Sequence, residues 1–271
     1  MRPAALVLLV LALAGCDFGD EAADGRRTVV AGFYPLAWAA ERVAGPDVEV
    51  VNLTPPGAEP HDLELSAQAV EDVVDAELVV YLGGFQPALD DAVAARDGGS
   101  LDVLPRGERD PHLWLDPARF SGIVQRVAGG LDGSAAATVQ DLRSLDGEYR
   151  RGLRRCESRV LVTTHAAFGH LAARYDLEQL SLAGSSPESE PGPRQLERLI
   201  DRVRASGATT VFAEPLVSDR VAQTLAREVG AEVAVLDPLE GLSEERLEAG
   251  VDYLSAMRAN LGTLRAALGC R

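Results

Sequence analysis

Lysine is absent from these 271 residues; all 26 Lys and Arg positions hold arginine, against 42 Asp and Glu, for a net charge of −16. Such an acid excess argues against nucleic acid as a partner and suits a soluble body that meets cations, although solubility alone would explain it equally well. There is no Gly-rich G-x-x-x-x-G-K loop, so ATP hydrolysis by that route is excluded. No H-E-x-x-H segment occurs, which removes one zinc-hydrolase signature. The apolar run from Ala4 to Leu13 falls short of the about 20 residues that a membrane span needs. Histidine and cysteine are scarce, four and three residues respectively, so their positions are informative.

The first cysteine belongs to the chain's opening. Met1-Arg2, the apolar run and Leu13-Ala14-Gly15-Cys16 have the layout of a signal peptide over residues 1–15. Its cleavage site resembles the lipobox of bacterial lipoproteins, in which Cys16 is lipidated and becomes the mature N-terminus. Two or more acyl chains there would anchor the protein stably outside the cytoplasm, on the bacterial cell membrane. The acidic stretch from Asp17 to Gly25 lacks apolar periodicity, and residues 16–27 read as a lipidated tether. Cys156 and Cys270 then form an even pair, which in an exported protein predicts a disulfide, with two free buried thiols as the alternative.

From Arg27 onward, β-rich apolar runs alternate with helical patterns, the signature of a parallel α/β architecture. Strands are expected at Thr28–Phe33, Val48–Leu53, Glu77–Leu82 and Leu101–Leu104. A second set follows at Arg159–Thr164, Gln179–Leu182, Thr210–Ala213 and Glu232–Leu236. The pattern divides into a first lobe over 28–130, a linking segment over 131–157 and a second lobe over 158–271. In the link, Val139, Leu142, Leu145, Tyr149 and Leu153 share one face, predicting a long helix from Ser134 to Arg155. Another helix is expected from Ser243 to Leu268, capped by Ser243. Gly207, Gly230 and Gly129-Gly130 stand where helices end in left-handed residues.

Three histidines lie at or beyond strand ends: His61, His112 and His165. Asp237 ends a fourth strand. Ligands of open α/β sheets bind outside the carboxyl ends of strands, so these four residues, two from each lobe, can converge only in the cleft between lobes. Three imidazoles and a carboxylate complete a tetrahedral shell for a zinc-like ion. Asp62, Asp110, Asp116 and Glu214 are candidates to hold the imidazoles' other nitrogens, and Phe33, Tyr34, Trp114 and Phe168 could shield the site or simply fill the core. His170 reads as a surface residue or a support for the site.

The phrases Pro60-His61-Asp62, Asp110-Pro111-His112-Leu113-Trp114-Leu115-Asp116-Pro117, Thr164-His165-Ala166-Ala167-Phe168-Gly169 and Leu236-Asp237-Pro238-Leu239 resemble the substrate-binding proteins of zinc/manganese ABC transporters. Ser186-Pro187-Glu188-Ser189-Glu190-Pro191 and Glu214-Pro215-Leu216-Val217-Ser218 strengthen the likeness, which runs from about Val29 to Gly269. The resemblance implies two (β/α)4 lobes joined by one long backbone helix, with the metal in the inter-lobe cleft. It also implies a monomeric, lipid-tethered receptor that passes the ion to a membrane permease with a cytoplasmic ATPase. Carried over by position, the ligands fall on His61, His112, His165 and Asp237. Manganese members resemble this pattern but place Glu at the third position; His165 there favours zinc. In this reading Zn2+ is the transported ligand and the protein is not an enzyme. A manganese receptor and a secreted zinc hydrolase, with water in place of Asp237, are the alternatives. Two departures stand out: Asp97 to Asp110 contains none of the histidines common in that loop of zinc members, and His170 replaces a frequent aromatic, which leaves open a fifth or transient ligand.

Overall fold

The computed structural model describes residues 27–187 and 192–271. The leader, Cys16, the tether up to residue 26 and residues 188–191 of the Ser-Pro-Glu motif lie outside them. Among the described residues no helix is long and apolar enough to cross a membrane.

Two parallel sheets of identical topology organise the chain. In the first lobe β1 (Arg27–Ala31), β2 (Val48–Asn52), β3 (Leu78–Tyr81) and β4 (Gly99–Asp102) run in the order β2-β1-β3-β4. The second lobe repeats this with β5 (Val160–Thr163), β6 (Glu178–Ser181), β7 (Thr210–Ala213) and β8 (Glu232–Val235) in the order β6-β5-β7-β8. The inner strands are short unbroken apolar runs because both faces are covered: Val29, Val30 and Ala31 are fully buried, as are Val79 and Val80. In each sheet the chain passes from the first strand to one neighbour and then crosses to the other side. The loops at the carboxyl ends therefore part and leave a crevice there.

Helices cover the sheets: α1 (Tyr34–Val43), α2 (Ala67–Asp75), α3 (Pro87–Ala94) and α4 (Pro117–Gly130) in the first lobe, and α6 (Gly169–Arg174), α7 (Pro193–Ser206) and α8 (Arg220–Val229) in the second. Between the lobes runs α5 (Ala136–Gly152). It is shorter than the predicted Ser134–Arg155 helix, about 25 Å at 1.5 Å per residue. It buries Val139, Leu142, Leu145 and Tyr149 as the periodicity requires. Helical geometry passes through Gly147 without a break. Gly152 has a packing reason: a Cβ there would come within 3.0 Å of Leu261.

Two expectations need correcting. The helix predicted from Ser243 to Leu268 is two helices, α9 (Glu244–Glu248) and α10 (Tyr253–Ala267). Ser243 caps the first as expected, accepting from Arg246 N. The break occurs because Gly250 is left-handed (φ 74°) and Asp252 opens a new capping box with Ser255. The box pairs Asp with Ser rather than the usual Ser or Thr with Glu or Gln, which hid it in the sequence. Gly207 and Gly230 do end helices in the left-handed region (φ 67° and 75°), but after Gly129-Gly130 that role falls to Asp132 (φ 52°).

Helix α10 packs on α5 and on β8 of its own lobe, and its first residue reaches across to the first lobe. Tyr253 lies 4.8 Å from Trp38 of α1 and 4.7 Å from Phe120 of α4, ring centre to ring centre. Its hydroxyl donates to Trp114 O at 2.5 Å. Tyr149 of α5 donates to Met257 O at 2.6 Å. One apolar cluster therefore runs through α1, α4, α5 and α10 and on to Leu161, Phe168 and Phe212 of the second lobe. Cys156 and Cys270 are joined by a disulfide across 114 residues, fixing the C-terminus beside the start of the second lobe. Removing it through a Cys156→Ser, Cys270→Ser double substitution should cost about 2–5 kcal/mol, as for loops of this length. Urea unfolding of the oxidised parent and the variant measures the difference; equal midpoints would contradict it.

Candidate metal centre

Three imidazoles converge on one carboxylate oxygen. His61 comes from the loop after β2, His112 from the residue preceding a single 3-10 turn (Leu113–Leu115), and His165 from the end of β5. Their Nε2 atoms lie 3.3, 3.2 and 3.2 Å from Oε1 of Glu240. The edge of a tetrahedron with metal–ligand bonds of 2.0–2.1 Å is about 3.3–3.4 Å. Three of the six edges thus have that length, and all four donor atoms lie within 4.8 Å of one another. His112, His165 and Glu240 are essentially inaccessible to solvent, and only His61 reaches the surface, with 8% of its side chain.

Each buried ring is held from behind. His112 donates through Nδ1 to Asp110 Oδ1 at 2.8 Å, and its backbone amide donates to the same oxygen at 3.1 Å. His165 Nδ1 lies 2.7 Å from Glu214 Oε2, a charge contact poorly aligned for a hydrogen bond. Glu214 Oε1 accepts from the His165 amide at 3.2 Å and from the Thr164 hydroxyl. Occupying Nδ1 leaves Nε2 to face the centre. Asp110 and Glu214 thus support the rings as expected. Asp116 does not; it caps α4 and contacts Arg174, while Asp62 is exposed. Phe33, Phe85 and Trp114 form an apolar wall, with ring centres 4.7–5.7 Å apart. Phe85, which the sequence did not single out, lies 4.4 Å from the His61 ring. Tyr34 and Phe168 belong to the core.

Asp237, expected as the fourth ligand, is turned to other partners than this cluster. Its Oδ2 accepts from Arg246 Nη1 at 2.6 Å and its Oδ1 from Leu239 N at 2.7 Å. Asp237 instead shapes the loop that delivers Glu240. Its backbone is clasped by the Asn260 side chain at 2.6 and 3.0 Å, and Pro238 O accepts from Trp114 Nε1 at 2.7 Å. Leu239 is driven into the left-handed region (φ 55°), which costs an ordinary side chain about 1–2 kcal/mol. That turn points the next residue inward. The strand end points to Asp237; the mark of Glu240 in the sequence is a second acid, three residues on, in an otherwise apolar stretch.

The electrostatics follow from burial. Desolvation alone would raise the Glu240 carboxyl, but the three imidazoles bring it well below the usual range. Burial would lower His165, yet Glu214 and Glu240 outweigh it and push that imidazole up to about 10. His112 is raised in the same way, against burial, by Asp110 and Glu240. Half-buried Glu59 is pushed up to about 7 by burial and then by the charge of Glu240. Its Oε1 accepts from the His61 amide at 3.0 Å.

This is a two-lobed architecture in which four atoms able to hold a metal ion, drawn from both lobes, meet in the crevice. A profile of the family described as "Zinc-uptake complex component A periplasmic" matches residues 29–267, and the chain belongs to that family. It is 33% identical to the zinc-binding lipoprotein AdcA of Streptococcus pneumoniae over 95% of this chain and 59% of AdcA. The chain thus spans under two thirds of that relative. It is 28% identical to the high-affinity zinc uptake system protein ZnuA of Bacillus subtilis, over 97% of this chain and 95% of that one. Among solved structures, the laminin-binding protein Lmb of Streptococcus agalactiae superposes with a TM-score of 0.80 at 31% identity, covering 89% of this chain and 99% of that one. The Zn(II)-bound ZnuA-like domain of Streptococcus pneumoniae AdcA gives 0.74 at 34% identity, covering 90% and 99%.

In the metal-free protein, Glu240→Gln should bring the His165 titration down from about 10, because a negative acceptor is lost. NMR titration of the imidazole carbon-bound protons reads this directly. An unmoved His165 would show that Glu214 alone sets its charge.

Proposed function

We propose that this chain is an extracytoplasmic zinc-binding receptor that hands its ion to the permease of an ABC importer. The carrying observation is the gathering of four donor atoms within 4.8 Å, with three Nε2–Oε1 separations of 3.2–3.3 Å that match three of the six edges of a zinc tetrahedron. In this reading His61, His112, His165 and Glu240 are the ligands, and Asp237 is the brace of the Glu240 loop. Three imidazoles favour zinc over manganese, a harder ion that prefers oxygen. Four protein ligands leave no coordination position for a reactive water, so the site holds and releases an ion rather than catalysing hydrolysis. Membership of a family described as a zinc-uptake component supports the same role, as does a zinc-bound relative of matching fold. Lipidation at Cys16, a cytoplasmic ATPase behind the permease and a monomeric receptor complete the proposal.

Calorimetry with zinc should saturate near one ion per chain. Glu240→Ala and His165→Ala should each weaken binding by about tenfold or more. Asp237→Asn, which retains an acceptor for Leu239 N, should cost less; the reverse order would overturn the ligand assignment.

Ligand imidazoles must be neutral, whereas Glu214 and Glu240 push His165 up to about 10 in the metal-free site and Asp110 and Glu240 raise His112. Zinc binding at pH 7 should therefore release about one proton, that of His165. Measurement in buffers of different ionisation enthalpy counts the protons released, and no release would contradict the proposed charge state. The sign for stability is opposite in the two forms. Raised imidazoles stabilise the metal-free fold fully below pH about 6.5 and lose that contribution as pH climbs toward their folded values. Zinc contributes its stabilisation at the higher pH.

A further inference from the structure

His170 stands outside the cluster of four, on α6 of the second lobe, yet it is only 11% exposed because it faces the first lobe. Its Nε2 lies 3.0 Å from the carbonyl oxygen of Asp110 and 3.6 Å from Asp110 Oδ2. The same Asp110 holds His112 by both its ring nitrogen and its amide. The preceding residue fits this contact: a Cβ on Gly169 would lie 2.9 Å from Asp110 Oδ2, so Asp110 is seated against the start of α6. One turn further along α6, Arg174 lies 3.1 Å from Asp116 on the other side of the Leu113–Leu115 turn. Thus α6 of the second lobe grips, at both ends, the first-lobe loop that carries His112.

We infer that His170 is a positioning residue: by donating to the Asp110 carbonyl across the lobe boundary, it fixes the carboxylate that aims His112 at the metal. The inference rests on the zinc reading of the site, with His112 as a ligand. A carboxylate that orients a ligand imidazole is itself only as fixed as its backbone. Here that backbone belongs to an irregular loop and is anchored by the opposite lobe. The first-lobe ligand is then properly aimed only while the lobes are in register. His170 needs no contact with the ion to influence how long it stays.

The test uses the zinc-loaded full chain and follows metal release to an excess of chelator. His170→Phe keeps a ring of similar bulk but removes the donor. It should release zinc about 3- to 10-fold faster, a smaller effect than losing a direct ligand partner. His170→Gln, which offers an amide donor, should restore most of the parent rate. In an Asp110→Ala background, His170→Phe should add nothing, since the link is already cut. A parent-like release rate for His170→Phe, or an effect of equal size without Asp110, would overturn the inference. If the parent itself bound no zinc, the proposed function would fail separately. The clasp would then be judged on the metal-free chain by hydrogen exchange of the His112 amide. His170→Phe should speed that exchange, and an unchanged rate would refute the clasp.

Discussion

Everything at the cleft is organised around one buried negative charge. Glu240 is 1% exposed, behind an apolar wall, where an unpaired carboxylate would cost several kcal/mol. Three imidazoles surround a single oxygen of it, and two of them have acidic groups behind, so positive charge is drawn into the site from every side. Without metal, protons supply that charge; a dication can supply it more compactly. The raised imidazoles and the lowered carboxyl are therefore two views of one requirement: this volume needs a cation.

The fold meets that requirement through its duplicated topology. Identical strand orders place a crevice at the carboxyl end of each sheet, and the two crevices face each other. His61 and His112 come from one side, His165 and Glu240 from the other. The lobes are not independent bodies, since Tyr253 at the start of α10 packs on Trp38 and Phe120. Together with α5 and the Trp114–Pro238 hydrogen bond, this favours small relative adjustments over wide hinge opening.

Much of this was legible in the sequence, for physical reasons. Strands buried on both faces declare themselves as unbroken Val and Leu runs, and all eight were located to within a few residues. The three histidines could be read because the type is rare here and strand ends are where such folds bind. Glu240 could not be read. It faces inward only because Leu239 adopts an unfavourable backbone conformation, imposed by Asp237, Asn260 and Trp114 from three separate parts of the chain. A left-handed leucine has no sequence signature. The division between α9 and α10 was hidden for a related reason: apolar periodicity continues across the break, and the unusual Asp-Ser cap decides it. The same limit applies to the reach of Tyr253 into the first lobe, because periodicity identifies an apolar face without identifying what it covers.

The reach of Tyr253 into the first lobe also bears on the order in which the molecule can assemble. The tyrosine that completes the packing of α1 and α4 forms a hydrogen bond with a backbone group 139 residues earlier in the chain. As the polypeptide emerges N-terminus first, the first sheet can form while the apolar faces of α1 and α4 still lack their final cover. Pairings of such long sequence separation form late, after the cost of loop closure has been met. The first lobe therefore stays incompletely packed until the residues of α10 have been made, and in that interval its open apolar faces require protection from aggregation.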